Sequence, residues 1–135
     1  MKKIYILLFT FILLQLTSFA ANWVECGYKT WVDIDSVVIT GKEISAWFKE
    51  LNPGDWELLE GKKVGYEKSL YITKIGTRQI GLKSVVCYDA SGKVLYTESP
   101  TYFVYRDVIP ETVGEVKYNV LLEIYSECKK QKILK

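Results

Sequence analysis

The stretch EISAWFKE, residues 43–50, alternates between two kinds of position: Ile44, Ala46 and Phe48 fall on one side, Ser45, Trp47 and Lys49 on the other. A period of two belongs to a strand whose successive side chains point to opposite faces. With one face apolar and the other mixed, the strand fits a sheet covered on one side only. Upstream, NWVECGYKTWVDID (residues 22–35) reads as a hairpin: a strand around Trp23–Cys26, a turn at Gly27, Tyr28 and Lys29, and a return over Thr30–Ile34. The β-branched run Val37–Thr40 stops at a second turn, Gly41 and Lys42, before Ile44–Leu51 resumes.

Downstream, Asn52, Pro53, Gly54 and Asp55 break this strand, and Trp56–Lys63 reads as an exposed loop without a clean period. Trp56 has two readings, a binding ring or a ring folded back onto the sheet. Two long strands follow, Val64–Ile75 and Thr77–Tyr88, changing over at Gly76. In the second, Arg78, Ile80 and Leu82 share one parity and Val85 and Cys87 the other, so a bulge at Gly81 is expected to reset the register; the face that carries Cys87 is left open. Asp89–Gly92 has hairpin-turn chemistry, and Lys93–Glu98 returns as a strand. Ser99 and Pro100 end it, and Thr101–Arg106 is short, aromatic and extended.

After Pro110 the period changes to 3.6. Thr112 and Glu115 form a capping box, each satisfying a free amide of the first helical turn. Val113, Val116, Val120, Leu121, Ile124 and Cys128 then make one apolar stripe, with Glu115, Lys117, Glu123 and Glu127 outside, and KKQKILK ends the chain as a frayed basic tail. The fold class is therefore α+β: an antiparallel, about six-stranded sheet with a C-terminal helix packed on one face.

Residues 1–20, MKKIYILLFTFILLQLTSFA, have the charged, apolar and small-residue regions of a cleavable secretory signal. Ser18 and Ala20 occupy the small-residue positions, so cleavage is expected between Ala20 and Ala21, leaving one domain over 21–135. Cys26 does not follow a small-residue box, so no lipid anchor is expected. Lys2 and Lys3 are the only charged residues of the signal, and their removal leaves 16 basic side chains against 16 acidic. A neutral domain gives no ground for a nucleic-acid partner.

The absence of histidine excludes Cys/His and Ser/His/Asp catalysis and histidine metal sites. Cys26, Cys87 and Cys128 lie too far apart for a zinc or thioredoxin-like motif. In an oxidising compartment two of the three are expected to bridge. Cys128, on the helix stripe, has Cys87 as first choice of partner and Cys26 as second; the odd thiol is inert or joins a homodimer. Asp33 and Asp35 share a strand face, but without a third acidic residue they read as turn residues, with Asp35 and Ser36 closing an Asx-type turn and Asp33 solvated.

Several motifs recur in a fixed order: Trp23; Trp31, Asp33, Asp35 and Ser36; Gly41 to Trp47; Lys68 to Tyr71; Arg78; Tyr88 to Val94; and Ile109 to Glu115, closing at Cys128. In this order the chain resembles the surface-adhesin protein E family over nearly its whole mature length. The resemblance implies a sheet with a C-terminal helix across it, and an outer-membrane adhesin that binds host matrix and serum proteins. It differs in having Ile75 where the family usually has a cysteine, with Cys87 taking that part. The expectation is an exported, non-enzymatic binding domain without cofactor or metal, using Trp56, Tyr102 and Tyr105 on a host or envelope protein. The alternative is a periplasmic accessory or structural protein.

Overall fold

Gly27, Tyr28 and Lys29 all take positive φ (96°, 51° and 54°), which turns the chain between β1 (Trp23–Gly27) and β2 (Thr30–Asp33). The computed structural model describes residues 21–51, 57–58 and 61–133; residues 1–20, with the expected cleavage residue Ala20, and Trp56 lie outside them. After β2 the chain makes a 3-10 turn over Ile34–Ser36. Asp33, not Asp35, is the Asx residue: its Oδ1 accepts from the Asn22 and Asp35 amides at 3.2 and 3.1 Å. Ser36 Oγ donates to the Asp33 carbonyl at 2.7 Å and accepts from the Trp47 amide at 2.9 Å, tying the turn to the next long strand.

The remaining elements are β3 (Val38–Thr40), β4 (Glu43–Leu51), β5 (Glu57–Leu58), β6 (Lys62–Lys63), β7 (Tyr66–Lys74), β8 (Gln79–Tyr88), β9 (Val94–Glu98), β10 (Arg106–Asp107) and α1 (Val113–Ile133). β5 and β6 pair as a small separate hairpin in the region read as a loop. The other eight strands form one antiparallel sheet, ordered β1-β2-β4-β7-β8-β10, with β3 also on β4 and β9 also on β8. Because β7 occupies the other edge of β4, β2 and β3 share one edge between them; β9 and β10 divide the outer edge of β8 in the same way. Six ranks thus contain eight strands. The register reset in β8 falls at Lys83 rather than Gly81, since Leu70 pairs with Ser84 and Tyr71 with Leu82. Gly81 has a different role: a β-carbon there would lie 2.7 Å from the Phe103 ring, so its bareness admits that ring.

α1 covers one face. Ile44, Ala46 and Phe48 of β4 meet Val32 and Leu121 in the main core, and Phe48 sets its ring edge against Tyr71 with centroids 6.1 Å apart. A smaller cluster joins Val64, Val85 and Cys87, which puts Cys87 on the helix side of the sheet. The capping box forms in altered register: Thr112 Oγ1 accepts from the Glu115 amide at 3.3 Å, while Glu115 Oε2 reaches back to the Glu111 amide at 2.9 Å. The buried stripe is rotated from the expected one. Tyr118 and Lys117 are buried with Leu121, and Lys117 Nζ meets Glu50 Oε2 of β4 at 3.1 Å while lying 4.4 Å from the Tyr71 ring centroid. A carboxylate and a ring face stand in for water around this ammonium, which is how a lysine expected outside comes to lie inside.

Candidate binding surfaces

The first surface lies along the outer edge of β8, on the same side of the sheet as α1: Tyr71 pairs with Ala46 and Leu82, and Tyr71 and Ile80 pack against the core under the helix. Residues 99–105 leave the sheet between β9 and β10, and a groove of about 470 Å³ opens under them. Tyr71, Ile80 and Leu82 form its floor, with Pro100, Tyr102 and Val104 on the rim. Tyr102 is 82% exposed and Val104 66% exposed, so this rim presents apolar surface to solvent. Tyr105 does not join it. It is half-buried, donates to Glu43 Oε1 at 3.2 Å and packs edge-on to Phe103 with centroids 5.3 Å apart, which fastens the crossing segment to β4. Burial first, then the Glu43 charge, pushes the Tyr105 phenol up to about 12. Of the expected binding aromatics, Tyr102 is at the surface, Tyr105 is a fastening residue, and Trp56 is outside the described residues.

The second surface is the sheet face opposite α1, and no sequence motif pointed to it. Cross-strand pairing places Trp31, Lys49, Lys68 and Val86 in one row across β2, β4, β7 and β8. Trp47, Leu70 and Ser84 make the row on one side, and Leu51, Tyr66 and Tyr88 the row on the other. Tyr66 and Tyr88 stack with centroids 4.5 Å apart and planes 9° from parallel. Lys68 Nζ lies 5.7 Å from the Trp23 ring centroid and 5.4 Å from that of Tyr88, and Lys49 Nζ lies 5.1 Å from that of Tyr66. All of these rings are partly exposed. The signal was present in the alternation of each strand, but only strand pairing assembles the belt.

The cysteines are arranged differently from expectation. All three are free thiols, and no Cys87–Cys128 or Cys26–Cys128 bond is formed. Cys87 is buried with Val64 and Val85, whereas Cys128 lines a depression with Ile39 and Gly41 beside the β3–β4 turn, so helix and strand present the two thiols to different neighbours. Cys26 donates to the Thr30 carbonyl at 3.3 Å. Burial, then the Glu67 charge, pushes the Cys87 thiol up to about 11, which suppresses the reactive thiolate. Among the described residues, no three Cys, Asp or Glu side chains gather to hold a metal ion, and no helix is long and apolar enough to cross a membrane.

An antiparallel sheet, backed by one C-terminal helix and open on its other face, defines an α+β domain. Solved structures share that architecture. Protein E from non-typeable Haemophilus influenzae aligns with a TM-score of 0.54 at 13% identity, over 80% of this chain and 80% of that chain. A second structure of Haemophilus influenzae protein E gives 0.50 at 15% identity over 73% of this chain and 78% of that chain, and its crystal form II gives 0.55 at 12% over 80% and 90%. The chain has a protein E-like fold, as the order of its motifs implied. No protein-family model matches the chain, and no curated protein matches its sequence.

Proposed function

We propose that this chain is an exported, non-enzymatic binding domain that docks a host or envelope protein at the groove along β8. The observation that carries this reading is the solvent-exposed apolar rim of Tyr102 and Val104 over a preformed groove, since contiguous exposed apolar surface marks interaction sites. The signal-like segment at residues 1–20 supports export, and the motif resemblance supports an adhesin. Location is tested by protease treatment of intact cells against cells with an opened outer membrane. Cleavage on intact cells supports the adhesin; protection until opening leaves a periplasmic binding role. Binding is tested on immobilised host matrix proteins with Tyr102→Ala/Val104→Asp. Loss of capture of about ten-fold or more, equivalent to about 1.4 kcal/mol, with an unchanged melting temperature is the expected result. Equal capture by variant and parent would remove the groove from the account.

A further inference from the structure

On the sheet face opposite α1, Lys49 and Lys68 are direct cross-strand partners on neighbouring strands. Like charges placed opposite one another destabilise a sheet. Among the described residues neither has a carboxylate partner; the ion pairs there join Arg78 to Glu115, Lys117 to Glu50 and Lys130 to Glu127. Glu25, Asp33 and Glu43 share the face: Glu25 and Asp33 stand on the outer strands, opposite Trp31 and Trp23, and Glu43, at the far end of β4, is six residues from Lys49 and accepts from Tyr105. The centre of the face is therefore locally cationic in a domain that is formally neutral without residues 1–20, and the two ammonium groups lie over partly exposed rings. An anion seated between them would relieve the repulsion and gain charge-assisted hydrogen bonds.

We infer that this face binds an acidic polysaccharide, with a carboxylate-bearing pyranose ring laid across Trp31 and Trp47 and its carboxylate between Lys49 and Lys68. Three features select this occupant. The face belongs to interior strands: β4 and β7 are paired on both edges, so it offers rings and ammonium groups but no backbone edge for an acidic peptide to extend. Tyr66 and Tyr88 already stack on each other and Lys68 lies over Tyr88, leaving these rings poorly placed for the successive base stacking that single-stranded nucleic acid uses. A neutral domain with two central lysines also lacks the dense basic stripe that a phosphate backbone needs, while a sugar polymer carrying one charge per ring or fewer matches two cations amid indoles.

The test is tryptophan fluorescence and calorimetric titration of the mature chain with polygalacturonate oligosaccharides, against neutral dextran, single-stranded DNA and poly-glutamate. Saturable binding to polygalacturonate, absent with dextran, is expected. Lys49→Gln/Lys68→Gln should weaken it at least about ten-fold, as expected for lost charge-assisted hydrogen bonds. Lys129→Gln/Lys130→Gln, on the exposed end of α1, should leave it unchanged, and so should Tyr102→Ala/Val104→Asp, which separates this site from the groove. The inference is overturned by no binding, by binding lost only with the Lys129 and Lys130 changes, or by equal or tighter binding of DNA or poly-glutamate. Self-association that buries this face, seen by sedimentation and abolished by Lys49→Gln/Lys68→Gln, would overturn it too.

Discussion

At Gly65 the backbone of one strand lead-in runs hard against the turn that follows β8. A β-carbon there would sit 2.6 Å from the Ala90 nitrogen and 2.7 Å from its Cα, and the Gly65 amide donates to the Tyr88 carbonyl at 2.8 Å. Backbone cannot swing aside as a side chain can. Gly65→Ala should therefore destabilise the fold by about 1–3 kcal/mol, the usual cost of overpacking, measured by urea denaturation. Gly81→Ala meets the Phe103 ring at 2.7 Å, and that ring lies on a connecting segment, so the loss there should be smaller. An equal or larger loss at Gly81 would show that the crossing segment is as rigid as the sheet. Both glycines are visible in the sequence, but their purpose depends on Ala90 and Phe103 arriving from distant parts of the chain. No local pattern announces that approach, so a bulge was the natural reading of Gly81.

The elements themselves were legible where the cause is local. β4 follows from the alternation in EISAWFKE, the β8–β9 turn from Asp89, whose Oδ1 accepts from the Ser91 and Lys93 amides at 2.9 Å each, and the helix start from Thr112 and Glu115. The rotation of α1 was not legible, because a lysine inside a helical pattern reads as solvent-facing until its partners are known. Lys117 has a side chain only 4% exposed, against 17% for Glu50. Breaking such a pair strands a buried charge, so Lys117→Met or Glu50→Gln alone should cost about 3 kcal/mol, and the loss should show in guanidinium melts. Replacing both by methionine removes the pair along with its desolvation cost and should recover most of that loss. A double variant as unstable as the singles would mean that the Tyr71 contact, not the ion pair, holds the helix on the sheet.

Across the whole molecule the two candidate surfaces lie on different sides of the sheet, and they depend on different links in its construction. The aromatic and lysine belt needs the β2, β4, β7 and β8 registers, each a product of turn geometry and core burial together. The groove along β8 needs residues 99–105 to leave the sheet and return, which their sequence shows only as an aromatic, extended run. What holds that excursion is the Tyr105–Glu43 hydrogen bond to β4. Its linkage to pH has a definite sign. The folded phenol is raised from 10.0 to about 12, so the neutral form is the one the fold favours. Its contribution is fully present below pH 10 and is lost progressively as the pH rises through about 12. Tyr105→Phe lacks both the hydrogen bond and the ionisable group, so it should be less stable than the parent at neutral pH by about 0.5–1.5 kcal/mol. The gap should narrow as the pH rises from 10 towards 12, when denaturation midpoints of the two proteins are compared at matched salt. No gap at neutral pH would show that Tyr105 acts only through ring packing against Phe103, which phenylalanine keeps, and that the segment over the groove is not fastened by Glu43.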